Sequence, residues 1–212
     1  MRRVLFCLGL LAILSACGSG RPVAPDDVVD HAAYVDAGPP SLTLMTSIRS
    51  ETGVGAHSAL IINASQRVIF DPAGSYQATI DGQPATPQRG DVIYGVSPPV
   101  LAGYLTFQSA KGFHATTITI PVSAAVAEEA LRKAEGHGWV SQAFCADATS
   151  SLLASLPGLE SLHPAIFPRQ FMRQVAKLPG VTIKTYDRGV EVPNNSIDGS
   201  GGDRHVGAYT DF

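Results

Sequence analysis

Apolar and polar positions alternate over several stretches of this chain. Leu42–Ile48 reads "LTLMTSI", with period two, and predicts a strand. His57–Ile62 and Arg67–Asp71 predict two more, separated by the polar stretch Asn63-Ala64-Ser65-Gln66, so they form a hairpin. On that pairing His57 and Asp71 lie almost opposite each other. Asp91–Val96 follows Arg89-Gly90 as a further strand. His114–Pro121, "HATTITIP", is β-branched and alternating, the composition that suits a pleated surface. The period then lengthens. Ser123 is an N-cap for a helix over Ala124–Glu135, with Glu128/Arg132 and Glu129/Lys133 at i,i+4 on its wet face. A second helix runs from about Gln142 to Leu156 and ends at Pro157-Gly158. Phe144, Ala148 and Leu152 give it one apolar stripe. Arg169–Lys177 predicts a third helix and Val181–Tyr186 a last strand. Strands crowd the first half and helices the second, an α+β pattern.

The ends behave differently. "MRRVLFCLGLLAILSAC" has a basic start and a short apolar run, the signature of a secretion leader rather than of a membrane span. Leu14-Ser15-Ala16-Cys17 resembles the lipobox of bacterial lipoproteins. The resemblance implies cleavage before Cys17, lipidation of its sulfur, a membrane anchor and, with Gly18 next, delivery to the outer membrane of a diderm cell. The division expected is 1–16 as signal peptide, 17–40 as a lipid-anchored flexible linker, 41–193 as the folded domain and 194–212 as a flexible tail. His31 and His205 fall in the two flanking segments and carry no expected role.

Charge and cysteine usage narrow the chemistry. The 212 residues hold 15 basic and 18 acidic side chains, a net of −3. Arg2 and Arg3 leave with the leader, so 13 basic residues face 18 acidic ones and the net falls to −5. No basic run is present, which argues against a nucleic-acid partner. The six histidines are scattered without a spaced pair, so no metal site is expected, and no cofactor. Cys7 leaves with the leader and Cys17 is consumed by lipid. Cys145 is then the one remaining thiol, to be read either as a reactive group or as small buried filler.

Cys145 stands near the start of its predicted helix, in "GWVSQAFCADAT". A thiol attacks as thiolate, and a helix N-terminus or a neighbouring imidazole promotes ionisation. His57, His114 and His137 are candidate bases. A base needs an acceptor that fixes its tautomer. The hairpin gives His57 such a partner in Asp71, whereas Asp91 is a weaker alternative and Asp147 points elsewhere.

A His opening an apolar strand, a polar residue on the next strand and a Cys heading a later helix resemble the circularly permuted branch of the NlpC-type papain-like fold, which includes relatives of lecithin–retinol acyltransferase. The matching stretches are "GAHSALIIN", "RVIFDPAG", "RGDVIY", "ITIPVSAAVAEEAL" and "AFCADATSSLL". The resemblance implies a central antiparallel sheet packed on helices, with Cys145 as nucleophile, His57 as base and Asp71 as orienting group. Asp71 stands where that branch often has His, and Phe144 where a polar residue or Tyr is common. The backbone N–H of Cys145 would serve an oxyanion hole, with Ser141 or Gln142 as a second donor. The implied activity is a thiol-dependent hydrolase, an amidase or endopeptidase on cell-wall or other peptides. The alternatives are a lipid-directed acyltransferase or esterase, with Leu101, Tyr104, Leu105 and Phe107 lining an apolar slot, and a non-catalytic surface lipoprotein with a buried Cys.

Overall fold

The computed structural model describes residues 23–80, 83–141 and 143–193. The expected leader, Cys17, Gln142 and the 194–212 tail lie outside the described residues. In chain order the described elements are α1 (Asp26–Ala32), β1 (Ser41–Arg49), β2 (Gly55–Asn63), β3 (Arg67–Phe70), β4 (Thr79–Ile80), β5 (Gln83–Pro84), β6 (Gln88–Arg89), β7 (Val92–Ile93), α2 (Pro98–Gln108), β8 (Phe113–Pro121), α3 (Ala124–Gly136), α4 (Cys145–Ala154), α5 (Pro168–Val175), β9 (Thr182–Asp187) and β10 (Val190–Val192). Eight strands form one antiparallel sheet in the order β10-β9-β8-β1-β2-β3-β7-β6, and β4-β5 is a separate ribbon. The α+β architecture with an antiparallel sheet is therefore present.

The sheet is covered on both faces, which explains why β1 and β2 are buried almost throughout. One face presents Leu42, Leu44, Leu60, Ile62, Phe70 and Ile118 to α3, α4 and α5. The other presents Met45, Ala59, Ile61, Ile69 and Ala115 to α2 through Tyr104 and Leu105. Each buried aliphatic side chain contributes roughly 1.5–3 kcal/mol, so these two layers supply the main driving force.

Several expectations change in detail. The β2–β3 register pairs Asn63 with Arg67 and Leu60 with Phe70. Continued outward, that register sets Asp71 diagonal to His57, not opposite it. The connecting turn is one residue longer than a two-residue loop, which moves the register. Asp91–Val96 contributes only Val92–Ile93 as strand. Glu129 pairs with Lys133 as expected (3.6 Å). Glu128 instead accepts hydrogen bonds from the Ser65 backbone and hydroxyl, tying α3 to the hairpin turn. The Ser123 side chain accepts from Val126 N, an N-cap as read (3.3 Å).

Residues 23–40 are not a bare tether. α1 buries Val29. Arg89 Nε donates to Ala24 O (2.6 Å) and its guanidinium pairs with Asp26 (2.5 Å). Tyr34 O accepts from Arg67 N (2.8 Å), Asp36 pairs with Arg67 (2.5 Å), and Pro39 O accepts from Asn63 Nδ2 (3.0 Å). Composition alone concealed these contacts, because the Ala, Pro and Asp of this segment bury few side chains. Among the described residues no helix is long and apolar enough to cross a membrane.

Candidate active site

The site forms where β2, the end of β3 and the start of α4 converge. A bulge at Ser47/Ile48, opposite Gly55 and His57, breaks the β1–β2 ladder just before the histidine. Bulges of this kind re-aim a side chain. Asp71 follows directly on β3, with its N–H donated to Asp91 O (2.7 Å). His57 Nε2 donates to Asp71 Oδ1 at 2.6 Å. That leaves Nδ1 for the sulfur of Cys145, which lies close enough for thiol and imidazole to shift each other's pKa. Asp71, His57 and Cys145 therefore form one line of interacting groups, with the carboxylate at its far end.

Cys145 is the first residue of α4 and is 7% exposed. Burial alone would raise its pKa. The hydrogen bond and charge of His57, with backbone N–H groups of Ser58 and Ala146 aimed at the sulfur, outweigh burial and lower it. The first N–H groups of a helix lack intrahelical partners, which makes Ala146 N available. Burial pulls the His57 pKa down, but hydrogen bonds to Asp71 and Cys145 and the two negative charges carry it from 6.5 up to about 10. Both directions shift the balance toward an imidazolium–thiolate pair. A thiol set among aliphatic neighbours would show the opposite shift.

The other candidates lie apart from this line. His114 Nδ1 faces Ser50 Oγ (3.3 Å), and burial together with the Arg169 charge lowers its pKa. His137 caps α3 and its ring rests against Phe70 (5.2 Å). Asp91 Oδ2 accepts from Val140 N (2.8 Å) and Ala73 N (3.3 Å), joining the loop before Cys145 to the loop after Asp71. Ser141 O accepts from Phe144 N (3.3 Å), closing the turn that delivers the helix. Ala143 in that turn has φ 77°, a left-handed conformation costly for a residue with a Cβ. Phe144 is not part of the buried stripe; it is 51% exposed, while Ala148 and Leu152 are buried.

The expected apolar slot is also redistributed. Tyr104 is fully buried and its hydroxyl donates to Asp71 Oδ1 at 2.7 Å. Sequence reasoning gave this residue to a substrate wall and missed its contact with Asp71. Leu101 and Leu105 border a different groove, beside Thr43, Ile61 and Tyr186. Phe107 alone of the four lines the cleft of about 380 Å³ next to His57, together with Ser47, Ala73, Gly74, Gln108 and Phe113. Small residues, Ala56, Ala73, Gly74 and Ala110 among them, make up much of that lining and leave backbone within reach of an extended ligand.

No group of three or more His, Cys, Asp or Glu side chains among the described residues is placed to hold a metal ion. No family model, curated protein or solved structure matches this chain.

Proposed function

We propose that this chain is a thiol-dependent hydrolase of the permuted NlpC-type papain-like class, an amidase or endopeptidase acting on cell-wall or other peptides. The observation that carries the reading is the Asp71–His57 hydrogen bond with the Cys145 sulfur beside the imidazole at a helix N-terminus. Such an arrangement supplies a nucleophile, a proton carrier and an orienting acceptor together. The order of His strand before Cys helix supports the permuted branch. A cleft with small residues along its lining leaves room for a peptide backbone.

In this mechanism the Cys145 thiolate attacks the substrate carbonyl carbon and its Sγ–C bond forms. The developing oxyanion is held by free N–H groups at the start of α4, that of Cys145 included. His57 passes its proton to the leaving amine as the C–N bond breaks, leaving a thioester. Water then gives a proton to His57 and its oxygen attacks the thioester. The acid departs and the thiolate–imidazolium pair returns. Asp71 accepts the Nε2 hydrogen bond throughout and keeps Nδ1 toward the sulfur. The reading further places the enzyme in the bacterial envelope, anchored through Cys17 beside its substrates.

Iodoacetamide should alkylate Cys145 in the native protein at neutral pH faster than a free thiol. Cys145→Ala should abolish release of stem-peptide fragments from cell-wall material, by roughly a thousandfold or more. Alkylation seen only after denaturation would overturn the catalytic reading. Release of fatty acid from lipid instead of peptide fragments would move the assignment to the acyltransferase or esterase, for which the apolar Phe107 and Phe113 walls speak.

A further inference from the structure

We propose that Tyr104 is a positioning residue of this site: its hydroxyl holds the Asp71 carboxylate so that His57 stays aimed at Cys145. The inference rests on the hydrolase reading above and adds a fourth side chain to it. Asp71 Oδ1 accepts from His57 Nε2 at 2.6 Å and from Tyr104 Oη at 2.7 Å. Two donors on one oxygen remove the rotation that a carboxylate with a single partner retains. The second donor is itself immobile. Tyr104 is fully buried on the sheet side of α2, and its ring meets Tyr76 edge-on at 5.1 Å. Gln108, one turn further along α2, lies beside the same hydroxyl and pulls its pKa down. Gln108 is also buried and borders the cleft at His57. A run of four side chains therefore links α2 to the sulfur: Tyr104, Asp71, His57 and Cys145.

Chemistry sets the direction of this run. Burial first, then the charge and hydrogen bond of Asp71, push the pKa of the Tyr104 hydroxyl well up, which favours the protonated, donating form. A fixed donor on Oδ1 keeps the carboxylate oriented as acceptor toward His57 Nε2, and that bond in turn fixes the imidazole tautomer. Were Tyr104 only core filler, phenylalanine would serve equally well, and its oxygen would not need a charged partner 33 positions earlier in the chain.

The test is the pH dependence of iodoacetamide alkylation at Cys145. Tyr104→Phe keeps the ring and removes the donor. Its alkylation midpoint should rise by about half a unit to one unit, the worth of one hydrogen bond. His57→Ala should raise the midpoint further. In an Asp71→Asn background Tyr104→Phe should add no shift, because the hydroxyl acts only through the carboxylate. A midpoint unchanged by Tyr104→Phe but raised by His57→Ala overturns this inference and leaves the hydrolase reading standing. A midpoint moved by neither variant overturns both. An additive shift in the double variant also overturns the positioning role. Proton NMR of the unaltered protein gives a check independent of variant folding. The Tyr104 hydroxyl proton should exchange slowly and show a cross-peak to the His57 Nε2 proton; absence of that cross-peak overturns the contact.

Discussion

Gly74 sits so close to Asp71 that a Cβ there would meet the carboxylate Oδ2 at 1.8 Å. A glycine is required for this close approach, since any side chain must displace the acid that orients His57. Gly74→Ala should therefore fold yet raise the Cys145 alkylation midpoint toward that of His57→Ala; an unchanged midpoint would show that the carboxylate moves without consequence. The histidine itself makes stability depend on pH. Its pKa is carried up from 6.5 to about 10 in the folded state, so its contribution is complete below pH 6.5 and is lost as pH rises through about 10. The Cys145 shift has the opposite sign: its contribution stands above the ordinary thiol value and is lost as pH falls through the lowered one. The urea midpoint should accordingly fall between neutral pH and pH values above about 10. His57→Ala should flatten that alkaline limb, and an identical limb in the variant would assign it to other groups.

The helix α2 carries Tyr104, and the pattern of its sequence did not announce it. "PPVLAGYLTFQ" is apolar on most sides, so no stripe with period 3.6 stands out. Its position over the second sheet face is decided by tertiary packing against Ile61, Ile69 and Ala115. The long strands were legible because β1, β2 and β8 carry β-branched residues and long apolar runs between polar turns. The pairing of Asp71 with His57 was read from the hairpin, although the register is diagonal; diagonal neighbours on one face remain within side-chain reach. The loop contacts of Asp91 could not be read, because they fall on backbone N–H groups 18 and 49 positions away. It joins the loop after β3 to the loop before α4, so Asp91→Ala should cost about 1–3 kcal/mol by freeing the buried N–H of Val140. The loss should appear as a lower denaturant midpoint at unchanged slope, with slower Cys145 alkylation at neutral pH. Full stability in the variant would mean that the α4 approach is held by other contacts.

At the scale of the whole molecule, the segment before β1 decides how the domain would sit relative to an anchor at Cys17. A flexible linker up to residue 40 would let the active site range widely above the membrane. The contacts of α1, Tyr34 and Asp36 end that freedom at Val23. From Cys17 to Val23 the chain can span at most about 20 Å. An enzyme anchored at Cys17 would thus be confined to substrates close to the bilayer. The same contacts make the segment part of the fold's stability. Arg67 is buried, its guanidinium stacks on Tyr34 (4.8 Å), and Asp36 is its ion-pair partner. Removing one partner of a buried pair is far costlier than removing an exposed one, because the remaining charge stays desolvated. A chain beginning at Ser41 loses Asp36, Tyr34 and the buried Val29 together. It should be less stable than a chain beginning at Val23 by about 3 kcal/mol or more, read from urea unfolding of the two forms. Asp36→Ala alone should account for a large share of that difference. Equal unfolding midpoints for the two forms would return residues 23–40 to the role of a passive tether and remove the limit on reach.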